Sequence, residues 1–412
     1  MDNTKPPGLE PDNKAEDELK NSGNLSPEEI ASNAFKKDAE PPDLNSMKST
    51  TGMPAKKRNV FSFRNLTKKQ KIIIAIAVAI VLAGGSFAAW WFVLRPKPPQ
   101  PTIIIEVEEE PEPAVIPSKL TGLPVPREYN DRVVIGVTIE NSPNARPQSG
   151  LKEAGVVYEA VAEGGITRFL AVYQDTEPDY VGPVRSARAY FLRWVLPYEA
   201  GYAHVGGSPE ALAEIPVLGV RDLDQFSSSG AFQRVATRYA PHNVYTGIPQ
   251  LRTAAHEKGW LTSEFEGFLR TEDENPSSPE DITAGNVNLA ISSALYNVAY
   301  TYDPATNSYL RHQGGTPHMD ERAATQITPK VVIAIVTDKG FAPNGVHSTY
   351  RTTGSGTMFV FQNGTVEQGT WEKANDTAQF TFTNQEGDPL RLIPGQTWIS
   401  FMGAVDQITY NP

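Results

Sequence analysis

The sequence predicts an α+β or mixed α/β ectodomain with a β-rich C-terminal domain, preceded by one transmembrane helix and a disordered cytoplasmic tail. Three observations carry that expectation. Residues 72–94, IIIAIAVAIVLAGGSFAAWWFVL, contain no charged side chain. From about residue 118, short β-branched runs alternate with segments of helical spacing, and beyond the turn-forming stretch TEDENPSSPEDITAGN, 271–286, the pattern is nearly all strand. With 412 residues, the chain is long enough for two or three domains and a sizeable core.

Taken in order, residues 1–71 begin as a tail rich in Pro, Asn, Glu, Asp and Lys, too poor in apolar surface to repay ordering. Its last part is basic: Lys56, Lys57, Arg58, Arg64, Lys68, Lys69 and Lys71 precede the apolar run, whereas only Arg95 and Lys97 follow it closely. The positive-inside rule therefore places the N-terminus in the cytoplasm, and the same cluster suits anionic lipid headgroups. A helix over 72–94 rises far enough to cover a hydrocarbon core of about 30 Å. Trp90 and Trp91 mark its outer end. Ser86-Phe87-Ala88 offers a small-x-small cleavage site, but the leader before it is too long for an ordinary signal peptide. Residues 95–117 are Pro- and Glu-rich, an extended stalk.

The segment 118–270 reads as mixed α/β. Strands are expected at 133–139, 156–162, 168–174 and 200–205, with helices at 187–196, 209–215 and 249–258. Ser208 and Pro209 have the chemistry of a helix cap and first turn, and Gly259 that of a helix stop. Residues 271–286 form a linker, and 287–412 a β-rich domain with strands at 296–302, 308–312, 331–337, 358–362, 379–383 and 398–401. Asp303 to Asn307, Asn363-Gly364 and Glu386-Gly387-Asp388 supply hairpin turns.

Composition excludes several classes. There is no cysteine, hence no disulfide, thiolate metal site, cysteine nucleophile or lipid-modified cysteine. The net charge of −11 argues against nucleic acid as a partner, and because the tail and anchor flanks are net basic, the chain beyond residue 97 is more acidic still. Such a surface repels anionic wall polymers unless a local basic site or a divalent cation intervenes. No P-loop, G-x-G-x-x-G or H-E-x-x-H motif is present, and no cofactor is expected.

The runs IENSPNARPQSGL (139–151), YEAVAEGGITRFLAVYQ (158–174), GPVRSARAYF (182–191), AHVGGSP (203–209) and APHNVYT (240–246) resemble the YerB-like bacterial envelope family, a domain of unknown function. YLRHQGGTPHMD (309–320), GSGTMFVFQNGTVEQGTWEK (354–373) and IPGQTWI (393–399) resemble its C-terminal part. The likeness spans roughly 118–402. It implies an envelope location and a shared fold but no reaction. Members are typically lipoproteins or single-pass proteins, and this chain departs by carrying Gly85 after Leu82-Ala83-Gly84, where a lipoprotein box has its cysteine.

Polar residues gather where strands are expected to end. Glu140, Glu163, His204 and Asp224 are candidate catalytic groups, with Asp222 nearby. Asn141, Arg146, Arg168, Arg185, Arg188, Gly206, Gly207, Ser208, His242 and Asn243 are candidate ligand-binding residues, because guanidinium forks and glycine amides suit carboxylate or phosphate. The competing reading makes these charges buried ion pairs, and Ser208 simply a helix cap. His312, His318 and Asp320 have the types of a divalent metal site without a diagnostic spacing, and the preferred reading is surface or hydrogen-bonded histidines with no metal. Trp371 and Trp398 suit either a carbohydrate platform or a core. Three functions follow: a module binding an envelope glycopolymer or protein through a polar cleft, a hydrolase or transferase acting on peptidoglycan or another glycopolymer, or a purely structural scaffold.

Overall fold

The computed structural model describes residues 67–95, 114–271 and 276–412. The tail before residue 67 and most of the stalk lie outside the described residues. The chain divides into two units, Met1–Ile105 and Glu106–Pro412. In the first, helix α1 (Lys68–Ala89) continues as a short wider turn through Leu94. It is long and apolar enough to cross a membrane, and its Ile, Val and Leu side chains are exposed rather than packed.

The second unit is built on one ten-stranded sheet. Its strands in chain order are β1 (Ile135–Glu140), β2 (Val156–Glu163), β3 (Ile166–Tyr173), β4 (Gly201–His204) and β5 (Arg221–Asp224) from the first half. A smaller sheet contributes β6 (Asn286–Leu289), β7 (Val298–Asp303) and β8 (Ser308–Gln313). The large sheet then resumes with β9 (Val331–Val336), β10 (Gly354–Gln362), β11 (Thr365–Lys373), β12 (Thr381–Asn384) and β13 (Thr397–Met402), and β14 (Ile408–Asn411) returns to the edge of the smaller sheet beside β6. The large sheet has the spatial order β12-β11-β10-β9-β13-β2-β3-β1-β4-β5. The two halves meet where β13 runs parallel between β9 and β2, with Thr397 opposite Val156 and Ser400 opposite Glu159. The segment 271–286 thus separates stretches of sequence whose strands share a sheet.

Strand alternation sorts the core into two layers. Ile135, Val137, Phe169, Ala171 and Trp398 face the smaller sheet and helix α4 (Ile248–Glu257). Leu170, Val172, Ile333 and Phe401 face α2 (Ala189–Val195) and α3 (Pro209–Leu218). Trp371 and Trp398 are buried in these layers, so neither offers a carbohydrate platform. Local chemistry explains the punctuation. Ser208 Oγ accepts from the Ala211 amide, and Gly219 ends α3 in the left-handed region. Asn363 and Gly364 both take positive φ in the turn joining β10 to β11. That is the geometry a two-residue hairpin needs for its twist.

Candidate functional site

Strands β1, β2, β4 and β5 all run the same way, so Glu140, Glu163, His204 and Asp224 finish at one edge of the sheet, the crevice side in open α/β sheets. Their side chains nevertheless divide into three groups with different chemistry.

The first is an ion-paired trio. Glu163, at the end of β2, bonds Arg168 of β3 through one carboxylate oxygen and Arg188, the residue capping α2, through the other. Arg168 also donates to the Ser186 carbonyl at 3.1 Å and Arg188 to that of Ala187 at 2.7 Å. Burial alone would raise the Glu163 carboxyl, but the two guanidiniums outweigh it and leave it below its ordinary value near 4.5. Both arginines are almost fully buried and already committed to Glu163. This trio ties β2 and β3 to the start of α2 rather than presenting forks to a ligand.

The second group surrounds His204, which is wholly buried. Its Nε2 lies 2.9 Å from Asp222 Oδ1 and its Nδ1 2.8 Å from the Gly206 carbonyl. Asp224 Oδ1 accepts from the Gly206 amide at 2.9 Å. Burial would raise the Asp222 carboxyl, but the hydrogen bond and charge of His204 and the Asp224 amide hold it below its usual range. The Gly206 amide is therefore occupied, Gly207 bridges to Ala187, and Ser208 caps α3. A nucleophilic serine beside His204 has no counterpart in this arrangement.

The third group opens to a cavity. Glu140 is buried, with 3% of its surface exposed. Its Oε1 accepts from Ser142 Oγ at 2.8 Å and lies 3.4 Å from Arg185 Nε, while its Oε2 lies 2.9 Å from His242 Nδ1. His242 reaches Glu140 from the loop after residue 240 and lines a cavity of about 490 Å³ with Arg146, Arg238, Tyr239 and Glu321. Arg146 is braced by Asn141, whose Oδ1 accepts from Nε and whose carbonyl accepts from Nη2, each at 3.1 Å. Its guanidinium stacks 5.0 Å from the Tyr296 ring centre, and burial lowers its pKa from the usual arginine value. Arg238 spans the carbonyls of Asn144 and Pro147 and stands 3.6 Å from Glu321. Asn243 faces Arg234 instead, 2.9 Å away.

A fourth cluster lies between the sheets and was not anticipated. Glu159 and Arg311 pair at 2.9 Å with neither exposed. Trp398 Nε1 and Thr167 Oγ1 also donate to the Glu159 carboxylate. Arg311 Nε donates to His318 Nδ1, so His318 donates from Nε2 to Gln148 Oε1 at 2.9 Å. Burial, with Arg311 and Arg146 adding to it, pushes the His318 pKa well below its ordinary value. Both nitrogens are thus committed, and Asp320 accepts the amides of Lys152, Arg322 and Ala323. Of the three weak metal candidates, His318 and Asp320 are engaged in hydrogen bonds within the protein. Among the described residues no group of three or more His, Asp or Glu is arranged to hold a metal ion.

Sequence reasoning brought Glu140, Asn141, Arg146, Arg185 and His242 into the candidate set but missed Ser142, Arg238 and Tyr239. The signal for the last two was adjacency: Arg238-Tyr239 directly precedes the APHN run that carries His242.

The shared sheet, with its strand-end polar clusters, defines a two-part mixed domain whose halves are joined through one central strand. Residues 120–261 match the N-terminal domain, and 287–399 the C-terminal domain, of the protein of unknown function DUF3048. The chain belongs to this family. It is 30% identical over 290 residues to a Bacillus subtilis (strain 168) protein named "Putative lipoprotein YerB", covering 70% of this chain and 86% of that one. It also resembles the crystal structure of the YerB protein from Bacillus subtilis, with a TM-score of 0.65 and 28% identity, over 72% of this chain and all of the other. A relative carrying a lipoprotein name and an apolar N-terminal helix here both point to association with a membrane or envelope.

Proposed function

We propose that the chain is a single-pass bacterial envelope protein, anchored by residues 72–94 with its N-terminus cytoplasmic, that binds an anionic group of an envelope glycopolymer or envelope protein in the cavity of Arg146, Arg238 and His242. One observation carries the reading: in an acidic chain, two guanidiniums and an imidazole line the same cavity. Arg146 makes no ion pair among the described residues, so its charge is available to an incoming anion. The main-chain and amide oxygens that hold both arginines fix the forks before a ligand arrives, which reduces the ordering cost of binding. Arg185 adds a third cation behind Glu140.

The test is calorimetric titration of the full-length chain in detergent micelles with inorganic phosphate and with soluble muropeptides. Binding that weakens with added salt and drops at least about tenfold in Arg146→Ala/Arg238→Ala is expected, since hydrogen bonds to charged groups contribute about 1.5–3 kcal/mol each. Equal binding by the double variant, or no binding by the native chain, rules the pocket out.

A further inference from the structure

We infer that the same cavity hydrolyses phosphodiesters, with His242 as general base and Glu140 as its positioning residue. The inference rests on the anion-binding reading above and adds a reaction to it.

An imidazole serves as a base through an unprotonated nitrogen that reaches the reacting water. The Glu140 carboxylate can only accept, so the 2.9 Å contact makes Nδ1 the donor, and in the neutral ring the lone pair then lies on Nε2. That second nitrogen has no hydrogen-bond partner among the described residues, and the ring lines the cavity. Glu140 is itself immobilised: Ser142 donates to its other oxygen, Arg185 stands behind it, and the carboxylate is withdrawn from solvent. A base oriented by a buried carboxylate is the arrangement that general-base hydrolysis requires.

Ser142 is not the nucleophile. Its Oγ lies 3.4 Å from Nδ1, the nitrogen already held by Glu140, and donates to Glu140 itself. Water therefore attacks. Arginine suits carboxylate as well as phosphate, and of these a phosphodiester is the hydrolysable anion that carries its charge at the reacting centre. The guanidiniums that bind it then also face the charge that grows on the phosphoryl oxygens in the transition state. In the step itself, Nε2 takes one proton from water as the water oxygen bonds phosphorus. The bond from phosphorus to the leaving oxygen breaks, solvent protonates the departing alkoxide, and His242 returns its proton to solvent. A phosphodiester and water become a phosphomonoester and an alcohol, with no change in oxidation state.

The experiment uses the full-length chain in micelles with bis(p-nitrophenyl) phosphate. Saturable nitrophenolate release is expected from the native chain. His242→Asn should lower kcat at least about a hundredfold, because the asparagine amide still donates toward Glu140 while the base is gone. Glu140→Gln should lower kcat with little change in KM, and because a smaller folded fraction would lower apparent kcat in the same way, thermal melts showing both variants fully folded assign the loss to the site. Release no greater than the blank, or equal kcat in native and His242→Asn chains, overturns the inference. A parallel titration with inorganic phosphate separates the two levels. If phosphate binds but no diester turns over, the reaction alone falls; if phosphate does not bind, the anion-site reading falls with it.

Discussion

Glu159 and Arg311 stand 152 positions apart in sequence and 2.9 Å apart in the interior. Each needs the other, since an ion without its counter-charge in such a place is far more costly than the pair is stabilising. Arg311→Met should therefore lower unfolding stability by about 3–5 kcal/mol, and adding Glu159→Gln should recover part of the loss by removing the stranded charge. Urea unfolding of the native chain and of the single and double variants checks this; an Arg311→Met chain with an unchanged midpoint contradicts it. Sequence reasoning passed over both residues for a physical reason. Glu159 sits in VVYEAVAE, where alternation places it on the same face as Val157 and Val161, and nothing local reveals that this face meets an arginine from a distant hairpin. His318 was visible as a histidine with acidic company, but its real neighbours, Arg311 and Gln148, come from other elements. The Glu140–His242 contact was similarly readable as types but not as a distance.

Elements whose chemistry is local were legible. Helix α3 has its serine cap, proline at the first position and a left-handed glycine at its end, all within eleven residues of sequence reach. Removing the cap isolates its worth: Ser208→Ala should cost about 1 kcal/mol in thermal or urea unfolding and leave phosphate binding at the His242 cavity unchanged. A loss of binding would instead return Ser208 to the site. The hairpin turn at Asn363-Gly364 was equally plain, and a side chain on Gly364 would meet the Tyr302 ring at 2.7 Å. Strand β11 was not identified, because TVEQGTWEK alternates weakly and much of it remains exposed. Strand β5, RDLD, has a single apolar residue and owes its extended form to pairing beside β4. Propensity is a weak prior where tertiary pairing decides.

At the scale of the molecule, the sheet makes the two family segments depend on each other. β13 carries Trp398 to the Glu159 carboxylate and lies between β9 and β2, so removing the first half exposes one whole side of a central strand. Residues 276–412 expressed alone should fail to show a cooperative thermal transition, whereas the larger unit of the full chain should unfold in one step by calorimetry. Two separated transitions in the full chain would contradict this. Sequence patterns marked the turn-rich segment 271–286 as a change in texture, but strand pairing across it depends on contacts too remote for any local pattern to register.

The position of β13 also sets a schedule. A chain that emerges N-terminus first completes β2 at residue 163 and must wait until residues 397–402 appear before that strand gains its parallel neighbour. Throughout that interval an apolar strand offers an unpaired edge, a template on which another nascent chain can settle. The hazard for this protein is thus one of timing: slow synthesis lengthens the window for aggregation even though the finished sheet buries the edge completely.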